Sequence, residues 1–328
     1  MTEGQPAPAR VRLPRRDVHG VLLLDKPIGI TSNDALQKAR WLFQANKAGH
    51  TGSLDPLATG MLPICFGEAT KVSGFLLDAD KHYTTTCRLG QRTATADAEG
   101  EVVETSPVPS LDAGVIEKAL AAWRGEIMQV PPMYSALRHQ GQRLYDLARD
   151  GIEVPREPRP VTIHELTLTG WTADSLSLEV RCSKGTYIRT LVEDVARSLG
   201  TLAHVTVLRR VAVGPFGRDM AMLSLAELEA RKEAQGLTSL DSLLLPVDHA
   251  VLHWPKAALT GDSAWYFTRG QAVFVPGAPT AGKLRVYGDG RFLGVGEIQS
   301  DGRLAPKRLM NLPIDGGQGD RPEGAVPP

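Results

Sequence analysis

Cysteine is scarce: Cys65, Cys87 and Cys182 are the only three in 328 residues, and they lie far apart. An odd, scattered set argues against a disulfide framework and a cysteine-rich zinc site, and it suits a reducing compartment. No apolar run reaches the roughly 18 residues of a membrane span. The first residues have no signal-peptide core, so the expected location is the cytoplasm, away from any membrane. A prevailing charge is also missing, since 37 Lys and Arg balance 37 Asp and Glu. Bulk charge therefore gives no hint of a nucleic-acid partner. There is no Walker motif, no Gly-x-Gly-x-x-Gly after a strand and no His-Glu-x-x-His. These negatives remove ATP, nicotinamide and catalytic zinc as expected helpers, and the expected set of cofactors and metals is none. No long internal repeat is visible. What remains, at 42% apolar and 23% charged residues, has the composition of a soluble globular protein with room for about two domains.

The distribution says more than the totals. Basic residues cluster within 10–16, 138–159, 181–210 and 303–308, and such clusters can form a phosphate-tracking stripe on a neutral chain. The most constrained stretch is Gly49-His50-Thr51-Gly52-Ser53-Leu54-Asp55-Pro56-Leu57-Ala58-Thr59-Gly60. Pro56 holds Asp55 out of helical geometry. Pro56 also suits the first position of a short helix over 56–59, with Gly60 at its end. Asp55 could then simply cap that helix. The glycines allow unusual backbone angles and let a bulky ligand approach closely.

Taken in order, residues 1–17 read as a disordered arm with a basic end. Residues 20–24 form a buried strand. Ser32 or Asn33 caps a helix with Leu36, Ala39 and Phe43 on one face. Residues 49–60 read as a loop, and 81–90 as a strand carrying Tyr83. Asp112 opens a helix with Ile116, Leu120 and Trp123 on one face, closed by Gly125. Between 130 and 160 the pattern fails. Prolines bracket an arginine-rich segment there with Tyr134 and Tyr145, and a loop of that length is usually functional or disordered. Residues 175–182 alternate as a strand. Lys184-Gly185-Thr186-Tyr187-Ile188-Arg189-Thr190 turns that strand into a helix with Leu191, Val192, Val195 and Leu199, stopped by Gly200. Residues 205–213 are another β-branched run, and 225–232 a surface helix. A domain boundary falls around 246–255. Beyond it, Asp262 or Ser263 caps a short helix, and short strands follow at 272–275, 284–287, 292–298 and 303–310. Asp289-Gly290 and Asp301-Gly302 are strong hairpin signals. Residues 313–328 read as a disordered tail.

The 49–60 string, with Val21-Leu22-Leu23-Leu24-Asp25-Lys26-Pro27 before it and Leu62-Pro63-Ile64-Cys65 after it, resembles the TruB-type tRNA pseudouridine-55 synthases. (The family's 55 counts the tRNA nucleotide.) The resemblance extends over about 20–310. It implies an α+β fold: a pseudouridine-synthase catalytic domain over 18–248, with a central mixed, mostly antiparallel sheet flanked by helices and loops, and a small C-terminal β-barrel of PUA type over 249–312. It implies that 131–160 is an insertion gripping the tRNA T arm. It implies an isomerase that extrudes uridine-55 and converts it to pseudouridine, as a monomer with no obligate protein partner.

The resemblance also assigns roles. Asp55 matches the catalytic nucleophile, and Arg189 the arginine that pairs with it. Tyr83 matches the tyrosine packing on the target base, which can also take the proton from C5. A free phenol titrates near 10, so stacking is the simpler part of that role. Tyr187 and Leu208 match the other base-pocket positions, and His50 a histidine touching the RNA beside the extruded nucleotide. Lys26 matches a lysine of the first motif, either as structural support or as a phosphate contact. The chemistry agrees with the missing cofactor motifs. The bond from ribose C1′ to uracil N1 breaks, the base turns, and C5 bonds to C1′, with no redox step. An ionised carboxylate can supply the nucleophile; attack at C1′, attack at C6 and assisted elimination to a glycal all stay open.

Two other readings use the same residues. A guide-RNA-dependent synthase would share the catalytic core but need partner proteins. A non-catalytic tRNA-binding or tRNA-folding protein would use the basic clusters and the barrel without needing Asp55.

Overall fold

The computed structural model describes residues 14–312; positions 1–13 of the expected arm, and the expected tail at 313–328, lie outside the described residues. Residues 14–17 are described, and Arg16 is fixed rather than loose. Its guanidinium donates to both carboxylate oxygens of Asp241, at 2.5 and 2.7 Å.

The chain first forms β1 (Gly20–Lys26), α1 (Ser32–Leu42), β2 (Ala48–His50), β3 (Thr59–Phe66), α2 (Ser73–Asp78) and β4 (Lys81–Leu89). There follow β5 (Gln91–Thr93), β6 (Val102–Thr105), α3 (Ala113–Ala121), β7 (Gly125–Gln129), β8 (Arg138–His139), β9 (Gln142–Arg143) and α4 (Leu144–Arg149). Then come β10 (Arg159–Trp171), β11 (Ser175–Cys182), α5 (Ile188–Ser198), β12 (Ala203–Val213) and α6 (Leu225–Gln235). The C-terminal unit holds β13 (Lys256–Leu259), α7 (Gly261–Thr268), β14 (Gly282–Gly288), β15 (Arg291–Ile298) and β16 (Leu304–Leu309).

The central sheet runs β1-β3-β12-β4-β11-β10-β7, with β2 paired to β3. Its ladders are antiparallel except β3 against β12, which is parallel over Thr59–Arg209 and Gly60–Arg210. The mixed, mostly antiparallel sheet expected from the sequence is therefore present. Alternation divides its side chains between two cores. Leu22 and Leu24 of β1, with Leu62, Ile64 and Phe66 of β3, join the helical core that includes α1 and α5. Val21, Leu23, Met61 and Cys65 face the opposite core, which reaches Tyr287, Phe292 and Val295 of the C-terminal unit.

The C-terminal unit is a four-stranded sheet, β13-β14-β15-β16, with its first pair parallel. Among the described residues no ladder closes it into a barrel; a single bridge, Val273 to Leu304, extends its far edge. Asp289 and Gly290 both take positive φ, at 50° and 75°. This is the backbone an Asp-Gly hairpin turn requires.

Several local expectations are corrected. Thr31, not Ser32 or Asn33, caps α1 in a reciprocal box with Asp34. The helix expected over 56–59 is a single turn closed by Ala58 N–H to Asp55 O at 3.0 Å. Thr59 and Gly60 are instead claimed by β3, because ladders with β1 and β12 satisfy their backbone groups. Residues 49 and 50, read as loop, belong to β2. α3 ends before Gly125, which opens β7. The segment read as patternless contains the β8–β9 hairpin and α4. In the C-terminal unit, Thr260 rather than Asp262 or Ser263 occupies the cap position of α7.

Candidate active site

The loop bearing Asp55 is held from several directions. Ser32, the first residue of α1, accepts from Leu54 N–H at 2.7 Å and donates to Leu54 O at 3.0 Å. Pro56 O accepts from Gly29 N–H at 2.9 Å. Lys26 is fully buried and donates to Pro27 O, Ile30 O and Pro56 O at 2.8, 2.7 and 3.3 Å. Burial pushes its ammonium down to about 8. A lysine spent on three carbonyls is structural support, and its burial leaves it no phosphate to reach. Gly60 takes φ +96°, and a Cβ there would sit 2.2 Å from Arg210 O, so only glycine fits the seam with β12.

Arg189 enters from the start of α5. Its Nε lies 2.9 Å from Asp55 Oδ2 and 3.7 Å from Asp97 Oδ2. Its two terminal nitrogens donate to Thr95 O and Tyr134 O, both at 2.7 Å. Arg189 and Asp97 are buried, whereas the Asp55 side chain keeps 41% exposure because it faces a cavity. Burial raises the Asp55 carboxyl above the usual carboxylate range. The Arg189 guanidinium opposes this and the Asp97 charge adds to it, leaving the net shift upward.

That cavity has a volume of about 330 Å³ and is lined by Asp55, Tyr83, Tyr187, Arg189, Leu208 and Arg210, among others. Five of the six residues assigned from the sequence to catalysis or to binding the target nucleotide thus share one space. Tyr83 comes from β4 and Leu208 from β12; both are buried. Tyr187 precedes α5, where Gln129 at the end of β7 clamps its backbone. Gln129 Oε1 accepts from Tyr187 N–H at 2.8 Å and Nε2 donates to Tyr187 O at 3.1 Å. Burial raises both phenols above their ordinary range; a nearby Arg210 opposes this at Tyr83, and Ser135 does so at Tyr187. His50 is the exception. It pairs with Ile64 in the β2–β3 ladder and is not among the cavity-lining residues. Its Nδ1 is buried without a hydrogen-bond partner, and burial holds its pKa down.

The structure adds residues that sequence reading missed. Asp97 and Gln129 carried no local signal, since their partners lie on distant elements. Arg210 did carry one, as a charged residue within the β-branched run of β12.

The solved structures that this chain resembles define the class. A chain of a Cbf5–Nop10–Gar1 complex superposes with a TM-score of 0.67 at 25% identity, covering 85% of this chain and 78% of its own. A chain of an H/ACA RNP bound to a substrate RNA containing 2′-deoxyuridine shares the fold with a TM-score of 0.69 at 22% identity, covering 90% and 86%. The molecule has the pseudouridine-synthase fold. The N-terminal domain of TruB family pseudouridylate synthases matches residues 40–188, a tRNA pseudouridylate synthase B C-terminal domain matches 189–252, and the C-terminal domain of pseudouridine synthase II TruB matches 255–310. The tRNA pseudouridine synthase B of Nitrosococcus oceani is 56% identical over 300 residues, 91% of this chain and 97% of that one. Its counterpart in Stutzerimonas stutzeri is 55% identical over 303 residues, 92% and 99% of the two chains. The chain belongs to the TruB family of pseudouridine synthases.

Proposed function

We infer that this chain is an isomerase that converts uridine-55 in the T loop of tRNA to pseudouridine. The observation that carries the reading is the Asp55–Arg189 pair, 2.9 Å apart in a cavity also lined by Tyr83, Tyr187 and Leu208. Asp55 is the nucleophile. Arg189 keeps it ionised against the cost of burial. Tyr83 stacks on the extruded base, and Tyr187 and Leu208 close the pocket around it. His50, on β2 beside the Asp55 loop, touches RNA outside the pocket. A uracil inside a folded tRNA arm must be extruded at a cost of about a few kcal/mol. The arginines of the 131–160 insertion hold the arm while this happens, and the C-terminal sheet serves as a PUA-like RNA-binding module.

On this reading the enzyme acts as a monomer in the cytoplasm, without cofactor and without an obligate protein partner. The test uses purified protein and a tRNA transcript tritiated at uridine C5, with no guide RNA. Wild type should release about one label per tRNA, because C5 gives up its hydrogen when it bonds to C1′. Asp55→Asn should bind the tRNA and release none. If both bind and neither releases label, the protein is a binder or requires a guide.

A further inference from the structure

Arg210 stands out as a buried charge with no opposite charge. It is 1% exposed, and among the described residues no carboxylate pairs with it. Its Nε donates to Met61 O at 2.7 Å and its Nη2 to Gly52 O at 3.0 Å. Nη1 donates to no backbone atom among the described residues, the guanidinium lies within reach of the Tyr83 phenol, and the residue lines the catalytic cavity. The other cations there are committed. Arg189 faces Asp55 and Asp97, and Lys81 donates to the carbonyls of Leu76, Leu77 and Ala79. Burying an unpaired guanidinium is costly unless something compensates it. Its cross-strand partner in the β12–β4 ladder is Tyr83. The free edge therefore lies beside the ring on which the base would stack.

The cavity receives a neutral uracil, yet the reaction does not leave it neutral. When the C1′–N1 bond breaks, its electron pair departs with the base, and the ring carries one negative charge over N1 and its oxygens. Attack of the carboxylate at C6 would likewise turn the ring into an enolate. The charge is removed when C5 bonds to C1′, the C5 proton leaves to a base, and N1 ends protonated. Resting on the isomerase reading above, we propose that Arg210 is a catalytic residue whose free guanidinium edge binds the uracil ring during its anionic interval. A preorganised donor aimed at developing charge in a water-poor site is the arrangement that accelerates such a step. In the resting enzyme the same guanidinium opposes the rise that burial imposes on the Tyr83 phenol.

The test compares two RNAs in single turnover, one with uridine and one with 5-fluorouridine at the target position. Fluorine withdraws electrons, so the departing ring needs less help. Consumption of the N-linked nucleoside is read by digestion and mass spectrometry, and RNA affinity is measured alongside. Arg210→Gln should slow the uridine RNA about a hundredfold and the fluorinated RNA about tenfold less severely, with RNA affinity retained. Equal slowing of both RNAs, or loss of RNA affinity in parallel, would make Arg210 a loop brace or a phosphate contact and overturn the proposal. If Arg210→Gln does not fold, Arg210→Lys carries the test. It keeps the charge but not the fork to Met61 and Gly52, and it should stay within about tenfold of wild type. A folded Lys variant slowed a hundredfold or more on both RNAs would sink the proposal. Wild type that converts neither RNA would instead remove the isomerase reading beneath it.

Discussion

Asp55 is held where its own charge is disfavoured. Burial raises its pKa, Arg189 lowers it, Asp97 raises it again, and the balance is upward. Two consequences follow from that sign. The proposed nucleophile role needs the ionised form, so on that role the single-turnover rate should fall as pH drops through a value above the ordinary carboxylate range of about 4. An acid limb at the ordinary value would show that Asp55 is not the titrating group. Stability runs the other way. A raised folded pKa means that the folded protein binds the proton more tightly than the unfolded chain. That contribution is complete at low pH and is lost as pH rises through the folded value. Asp55→Asn leaves Arg189 beside Asp97 alone and removes a carboxylate charge that the site disfavours. The variant should resist denaturant better than wild type at neutral pH, with the difference disappearing in acid. A variant less stable at neutral pH would mean that the Asp55–Arg189 attraction outweighs the burial cost.

At the scale of elements, the site depends on contacts between segments far apart in sequence. Gln129, at the last position of β7, fastens the first turn of α5 by replacing a strand partner for Tyr187. Gln129→Ala would leave the part-buried Tyr187 N–H without its partner, while Tyr187 O keeps its bond from Leu191 N–H at 3.0 Å, at a cost of about 1 kcal/mol. Urea unfolding should show that loss, and turnover on tRNA should fall more than tRNA affinity, since Tyr187 and Arg189 share the loosened turn. An unchanged rate in a destabilised variant would limit Gln129 to folding. Much of this layer was legible in the sequence. β4, β11 and α5 appear with nearly their observed bounds, because alternation and helical spacing are strong where one face is buried. Asp55, Arg189 and Tyr83 were reached through the local string and the family resemblance. Gln129 and Asp97 were not, since a polar residue buried by a partner tens of positions away looks local and ordinary. The turn after Asp55 was misread as a helix for a related reason. Thr59 and Gly60 are extended by strands that sequence proximity does not reveal.

At the scale of the molecule, the C-terminal sheet is fixed to the catalytic unit rather than tethered to it. Apolar packing joins Tyr287, Phe292 and Met310 to Val21, Met61 and Val72. Tyr287 donates its phenol proton to Asp248 at 2.5 Å, and Arg285 donates to Trp254 O at 2.9 Å. Burial pushes the Asp248 carboxyl up. The hydrogen bonds from His249 and Tyr287, with the charges of His249 and Arg285, outweigh it and hold the carboxyl below its ordinary range. A depressed carboxyl stabilises the fold above the unfolded pKa, and that support is lost as pH falls through the folded value. Tyr287→Phe should therefore cost about 1.5–3 kcal/mol at neutral pH, and the penalty should shrink in acid. A pH-independent penalty would assign the effect to ring packing alone.

The parallel seam between β3 and β12 is only two residue pairs long, Thr59–Arg209 and Gly60–Arg210. On one side of it lie the strands that frame the Asp55 loop; on the other lie Tyr83, Leu208 and the rest of the sheet. The narrowest ladder in the sheet thus lies beside the cavity, and what spans it is mostly side chain. Arg209 reaches Asp25, Arg210 reaches Met61 O and Gly52 O, and Arg189 reaches Asp55 across the same line. Three arginines from one side stitch the two halves together where the backbone alone scarcely does.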